Sequence, residues 1–230
     1  MYSDVAVAKT NKGSLRILVQ GIMAGFMIGI GGYASQLATV LGLSKVVSAA
    51  IFPVGLIMVV LTGAELFTGN CLMPAAVMNG RIRFSGMGRV WVLSYIGNLI
   101  GSLILGFAIR YTGSDDYIAL AESVAAAKTG MPILEMLIRA ILCNILVCIA
   151  VWMAINADST SGKVLCAFVP VFTFVLCGFE HSVANMYFLT VGSAGVGAAF
   201  VQIAIVTVGN IIGGSVIGLM LEGRKNPPLL

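Results

Sequence analysis

Long apolar segments separated by short polar ones dominate this chain. The long segments without Asp, Glu, Lys or Arg are Ile17–Ser44, Val46–Ala64, Leu66–Gly80, Val90–Ile109, Ala140–Ala157, Val164–Phe179, Ser182–Thr190 and Ala198–Leu221. Only Glu65 separates the second segment from the third, and only Glu180 and His181 separate the sixth from the seventh. Because a membrane-spanning helix needs about 20 apolar residues, the pattern predicts six transmembrane helices, of which the second and the fifth are broken.

The composition supports a membrane location for the whole chain. Of its 230 residues, 59% are hydrophobic and only 10% are charged, and the mean hydropathy is +1.04. Six spans leave only short loops and tails, which excludes a separate soluble domain. The sequence therefore predicts an all-α integral membrane protein that forms a single channel domain over residues 1–230.

The charged residues predict an orientation in the membrane. If both termini are cytoplasmic, the basic residues inside are Lys9, Lys12, Arg16, Arg81, Arg83, Arg89, Lys163, Arg224 and Lys225, and those outside are Lys45, Arg110 and Lys128. Cytoplasmic loops carry an excess of Lys and Arg. We therefore expect a multi-pass protein of the cell membrane with both termini inside, and this topology explains the net charge of +4 without a nucleic-acid partner.

The two halves of the chain share motifs in the same order. Residues 63–70 (GAELFTGN) match 178–185 (GFEHSVAN), residues 97–101 (GNLIG) match 209–213 (GNIIG), and residues 20–25 match 139–144 more weakly. Each unit holds three helices, an odd number, so the second unit must be inverted in the membrane. We expect repeats over about 15–110 and 132–222, with a solute pathway between them near the bilayer midplane.

A carboxylate lies in each predicted break. A charge at mid-span costs at least ~2.5–3.5 kcal/mol on insertion scales, so Glu65 and Glu180 must face protein or water. The flanking glycines and the asparagines Asn70 and Asn185 are typical of a helix that stops and restarts. Two roles stay open for the acids: they act on a solute, or they cap the second half-helices and hold the fold.

The polar centre of the predicted pathway is small. His181 is the only histidine of the chain and lies beside Glu180, and Thr68 adds a hydroxyl in the first break. We interpret these two side chains as hydrogen-bond partners for a solute, the alternative being that His181 is a core residue. One histidine and two acids make a poor metal site, and the cysteines lack a CxxC pair, so neither a metal nor another cofactor is expected.

Bulky apolar residues flank both breaks. They are Phe52, Leu56, Leu66, Phe67 and Phe174. Their positions are compatible with apolar collars above and below the polar centre, and equally with ordinary helix packing.

The chain resembles the formate/nitrite transporter family, which includes formate, nitrite and hydrosulfide channels. The resemblance covers essentially the whole chain and is carried by residues 52–55 (FPVG) leading into 63–70, by 142–148 (LCNILVC) leading into 150–153 (AVWM), and by 178–186 (GFEHSVANM). It implies an aquaporin-like helical fold assembled as a homopentamer, with one pore through each protomer.

The resemblance also implies roles for individual residues. Thr68 and His181 would mark the pore centre, and Lys128 would lie in the outer vestibule. The polar set would be completed by Asn144, Glu65 and Glu180. The constrictions would be Phe52, Leu56 and Phe174 on the outer side and Leu66, Phe67 and Val147 on the inner side. The polar head, residues 1–13, is short for a gating helix of this family.

These observations favour a channel for small monovalent anions of weak acids, not an enzyme. A neutral acid crosses an apolar collar far more easily than its anion does, so a proton taken from water or from His181 would accompany the solute. The alternative is an aquaporin-type channel for neutral solutes, but its paired Asn-Pro-Ala motifs are absent from the sequence. A membrane-embedded enzyme would need His181 with Glu65 or Glu180 as catalytic acid and base or as metal ligands.

Overall fold

The computed structural model describes residues 2–222, and the regular secondary structure of these residues consists of helices. The helices are α1 Tyr2–Thr10, α2 Ser14–Val40, α3 Lys45–Ile51, α4 Val54–Thr62, α5 Phe67–Asn70, α6 Met73–Met78, α7 Phe84–Thr112, α8 Asp115–Thr129, α9 Ile133–Asn156, α10 Thr160–Leu176, α11 Ser182–Val191 and α12 Val196–Glu222. Arg224 and Lys225, which the sequence analysis assigned to the cytoplasm, lie outside the described residues, as do both chain ends.

Five parts of the described chain are long and apolar enough to cross a membrane. They are α2, the combined segment Lys45–Thr62, α7, α9 and α12. The two shorter helices α10 and α11 together occupy the fifth predicted span, and α5 and α6 complete the second. The protein is therefore an all-α membrane protein, and its helices follow the predicted apolar segments.

Small residues bring the long helices into direct backbone contact. A Cβ atom at Gly25 would lie 2.0 Å from the carbonyl oxygen of Asn98, and one at Gly101 would lie 2.0 Å from that of Ile22. Gly213 packs in the same way against the carbonyl of Ile141. Thus α2 packs on α7, and α9 packs on α12, through the small-residue spacing that is typical of membrane helices.

Both predicted breaks are present. Helix α4 ends at Gly63, whose φ is +68°, and the chain runs extended through Leu66 before α5 begins. Helix α10 ends before Gly178, whose φ is +70°, and α11 begins at Ser182. A left-handed conformation at these positions is accessible to glycine at little cost.

One asparagine from a neighbouring helix closes each break. Asn98 Oδ1 accepts a hydrogen bond from Phe67 N–H at 2.9 Å, and Asn98 Nδ2 donates to the carbonyls of Glu65 and Gly21 at 2.9 and 2.8 Å. In the second half, Asn210 Oδ1 accepts from Ser182 N–H, and its Nδ2 donates to the carbonyls of Glu180 and Ala140. These equivalent bonds join residues that the three repeated motifs align.

The structure corrects one interpretation of the break motifs. The capping role left open for Glu65 and Glu180 is not what the breaks show: both carboxylates accept from the amide groups of Asn70 and Asn185, at 3.2 and 2.6 Å. The half-helices instead begin on Asn98 and Asn210, and His181 Nδ1 additionally accepts from Ala184 N–H. Neither carboxylate is bound to a backbone N–H of its own half-helix in the described residues.

Two helices lie where the apolar pattern predicts polar connections. Helix α1 occupies the polar head, and α8 occupies most of the loop between the third and fourth spans. Ser114 caps α8 by accepting from Tyr117 N–H, and the Tyr117 hydroxyl donates to Gln36 at 2.6 Å. Hydrophobic periodicity is weak in these short helices, which are fixed by caps and tertiary contacts.

We predict that Gly101→Ala lowers the free energy of unfolding by about 1–3 kcal/mol, the usual cost of overpacking a tight contact. Gly88→Ala is the matched control, because it lies in the same helix and its added Cβ would meet no atom within 4 Å. That control should leave stability unchanged or slightly raise it. Thermal unfolding in detergent measures both variants, and equal midpoints would contradict the tight α2–α7 contact.

Candidate solute pathway

Three cavities lie in series through the bundle. The Lys128 vestibule has a volume of about 140 Å³ and is lined mainly by α10, α11 and the second break. The central cavity has a volume of about 10 Å³, which is close to the smallest space that holds one water molecule. The Lys163 vestibule has a volume of about 270 Å³ and is lined by α1, α4 and the first break.

Shared lining residues show how the cavities connect. Phe52, Phe174 and His181 line both the Lys128 vestibule and the central cavity. Leu56 and Leu66 line both the central cavity and the Lys163 vestibule. These two groups are the upper collar and the lower collar of the pathway.

The upper collar is held by ring contacts. The Phe52 and Phe174 rings meet edge to face with their centroids 5.8 Å apart, and Phe174 stacks on the His181 imidazole at 5.9 Å. All three residues are no more than 3% exposed. The collar therefore consists of two aromatic faces and one polar ring.

Thr68 and His181 meet beside the central cavity. Thr68 Oγ1 and His181 Nε2 are 2.9 Å apart, and both residues are buried. Because His181 Nδ1 accepts from Ala184 N–H at 3.1 Å, a neutral imidazole carries its proton on Nε2. The Nε2–H group then donates to Thr68 Oγ1, and the threonine hydroxyl keeps its own hydrogen for another acceptor.

Lys128 and Glu180 form a buried ion pair in the Lys128 vestibule. The Lys128 ammonium lies 2.9 Å from both carboxylate oxygens of Glu180, which also accept from Asn185 and Gln202. The ammonium group also lies 5.5 Å from the centre of the Phe188 ring. The charge of Glu180 is thereby matched by one lysine.

Two lysines of the N-terminal segment pair with Glu65. Lys9 Nζ lies 2.6 Å from Glu65 Oε2, and Lys12 Nζ lies 2.7 Å from Oε1. Lys9 also donates to Asn70, and Lys12 to Gln20. Because Glu65 is fully buried, these contacts supply the partners that a carboxylate needs at this depth.

A family model described as Formate/nitrite transporter matches residues 1–222. The chain belongs to this family. It is 36% identical to a probable formate transporter of Methanothermobacter thermautotrophicus, over 83% of this chain and 79% of the relative.

Two solved structures extend the comparison to the fold. An ion channel of the same family superposes with a TM-score of 0.87 at 30% identity, over 95% of both chains. A pentameric formate channel with formate bound superposes with a TM-score of 0.76 at 30% identity, over 90% of this chain and 95% of that one. The fold of this chain is therefore the fold of these formate/nitrite transporter channels.

Three other residues predicted for the constrictions have different surroundings in the structure. Val147 lines the central cavity. Leu56, expected in the outer constriction, lies with Leu66 in the lower collar. The Phe67 ring instead packs against Trp91 and Tyr95, with centroids 5.9 and 4.8 Å apart.

Asn144 supports the first break instead of lining a vestibule. Its Nδ2 group donates to the carbonyls of Thr68 and Asn210 at 3.2 and 2.6 Å. It thereby connects α9 to the Thr68 backbone and to α12. Asn144 thus binds the backbone of the residue whose hydroxyl contacts His181.

Sequence reasoning missed four residues that organise the pathway. In the sequence, Lys9 and Lys12 indicate only the topology, and Asn98 and Asn210 only belong to a repeated motif. A signal was present for each pair: a buried carboxylate requires a cation, and a mid-span asparagine requires backbone partners. The pattern alone does not say which lysine or which carbonyl supplies them.

We predict that Glu65→Gln releases α1 from the bundle, because two ammonium groups then lose their carboxylate. Hydrogen exchange of the α1 amides should accelerate about tenfold or more. Asp4→Asn is the control, since it removes a carboxylate of the same helix that pairs with Arg81 at 2.6 Å in a solvent-exposed position, and surface pairs contribute little. Unchanged α1 protection in Glu65→Gln would show that apolar contacts alone hold this helix.

Proposed function

We propose that this protein is a channel through which formate, and similarly small monovalent anions of weak acids such as nitrite and hydrosulfide, cross the cell membrane together with a proton. The observation that carries the proposal is the order of groups along the pathway: a charged vestibule, a collar of two phenylalanines and His181, the bond from His181 to Thr68, a leucine collar and a second charged vestibule. The names of its relatives, which include a probable formate transporter and a formate channel with formate bound, support formate as substrate.

The collars favour a neutral permeant. Phe52, Phe174, Leu56 and Leu66 offer no hydrogen bond from their side chains, and an unpaired charge is costly in such surroundings. A carboxylic acid with a pKa near ~4 is neutral in only about one molecule per thousand at pH 7. Protonation inside a vestibule, where the anion has lost part of its hydration, therefore increases flux.

Vestibule water is the proton source in this proposal. Protonating His181 would place a hydrogen on Nδ1 opposite the Ala184 N–H group, so two donors would face each other. The helix cap therefore favours the neutral imidazole. His181 Nε2–H stays bound to Thr68 Oγ1 and orients it, and the Thr68 hydroxyl then acts as the hydrogen-bond donor to the passing solute.

Lys128 provides the approach on its side. Two of its three ammonium hydrogens have acceptors on Glu180, and the third is available for an anion that enters the vestibule. Glu180 fixes the direction of this ammonium group, while Asn185 and Gln202 hold the carboxylate. The pair thus presents a donor without adding net charge.

Assembly and orientation follow the family. We propose a homopentamer in the membrane lipid, supported by the pentameric formate channel that this chain resembles, with one pathway per protomer. Both termini are proposed to be cytoplasmic, which places the Lys163 vestibule inside and the Lys128 vestibule outside. Lys9, Lys12 and Lys163 line one vestibule and Lys128 lines the other, in agreement with the division of basic residues used for the orientation.

Flux into proteoliposomes tests this function. With formate as solute, we expect one proton to move with each anion, and the initial rate to rise about tenfold for each pH unit below neutrality while neutral acid is limiting. A neutral-solute channel of the aquaporin type would instead pass glycerol or water with no formate flux. Chemical conversion of formate in the same vesicles would indicate an enzyme.

We predict that His181→Asn lowers formate flux but retains one proton per anion. Asparagine is a good helix N-cap, so it can accept from Ala184 N–H and preserve α11, while the Nε2–H donor is lost. Thr68→Val is the companion variant, because it removes the hydroxyl without touching a titratable group and should also slow flux at constant stoichiometry. Loss of proton co-movement in a stable, assembled His181→Asn protein would assign the proton donor to His181.

A further inference from the structure

The two vestibules carry different charge. The Lys128 vestibule is lined by one lysine and one carboxylate, so its fixed charges cancel while His181 is neutral. The Lys163 vestibule is lined by three lysines and one carboxylate, which leaves a net charge of +2. An electrostatic attraction for anions is therefore expected mainly on the Lys163 side.

Lys163 differs from the other two lysines of its vestibule. Lys9 and Lys12 are both bound to Glu65, and each also reaches an amide oxygen. Across residues 2–222, the structure gives the Lys163 ammonium group no carboxylate and no hydrogen-bond acceptor. Its backbone N–H is bound to the Ser159 carbonyl in the first turn of α10, so the unpaired charge extends from a fixed helix start.

The surroundings of Lys163 strengthen this charge. The residue is half-buried, and the vestibule wall beside it is formed by aliphatic side chains such as Val60, Val151 and Ile155. Low-dielectric walls focus the field of a charge into the space they enclose. An anion that enters this recess meets an ammonium group with no competing carboxylate of its own.

We infer that Lys163 is an anion-binding residue, and that the Lys163 vestibule collects small carboxylates before they reach the lower collar. This inference rests on the proposed function for its role in transport, but the binding of a carboxylate does not depend on passage through the collars. Lys128 is less suited to bind an entering anion, because its charge is neutralised by Glu180.

Citrate is a suitable probe because it is close to trivalent at neutral pH and too large for a central cavity of about 10 Å³. We expect citrate added on the Lys163 side to inhibit formate flux at lower concentration than citrate added on the other side. In Lys163→Gln, the half-inhibitory concentration on the Lys163 side should rise about fivefold at low ionic strength, and the difference should vanish near 0.5 M salt. Protease cleavage of an N-terminal tag identifies the side, since α1 lines this vestibule.

Lys45→Gln is the matched control, because it makes the same substitution at an exposed lysine outside both vestibules. It should leave inhibition on both sides as in the parent. An unchanged half-inhibitory concentration in Lys163→Gln, or an equal change on both sides, would overturn the inference while leaving the channel function intact.

Calorimetric titration of the detergent-solubilised protein with citrate gives a second readout that needs no transport. The parent and Lys45→Gln should bind citrate with equal affinity, and Lys163→Gln should bind about fivefold more weakly at low salt. Absence of formate flux with this affinity difference preserved would reject the proposed function and keep the site. Equal citrate affinities in all three proteins would reject the site.

Discussion

Broken helices inside a membrane free backbone groups that water cannot satisfy, and the rest of this structure depends on how they are paired. Asn98 and Asn210 each bind one freed N–H and two carbonyls, and so connect three helices at one point. With hydrocarbon around the bundle, an unpaired backbone group costs several kcal/mol. The close glycine contacts between α2 and α7, and between α9 and α12, bring the asparagines within reach.

The two breaks place their polar side chains against each other. Thr68 lies at the start of α5, just after the first break, and His181 caps the helix that follows the second, so the 2.9 Å contact between them joins the two halves beside the central cavity. The cap on Ala184 selects the imidazole tautomer. A requirement of helix ends thereby determines which hydrogen bonds His181 and Thr68 make beside the central cavity.

The buried carboxylates are equivalent in sequence but not in their partners. Glu180 is matched by Lys128 from α8, whereas Glu65 is matched by two lysines of the N-terminal segment. The two break motifs, which are alike in sequence, therefore lie in different electrostatic surroundings. In the proposed channel, this asymmetry would change where anions gather and would leave the central collars common to both directions of passage.

The sequence by itself determined the apolar spans, the two breaks and the pair of residues at their centre. Each span and each motif consists of residues that are neighbours along the chain, so its pattern is visible without the fold. It did not determine α1 and α8, whose weak periodicity is overridden by contacts such as Lys9 with Glu65 and Tyr117 with Gln36. Nor could it assign the ring of Phe67, which packs on Trp91 and Tyr95. Only the tertiary structure decided which cation faces each carboxylate and which carbonyls each asparagine binds. Those partners lie 30 to 77 residues apart, and the spacing of residues along the chain does not indicate which of them meet.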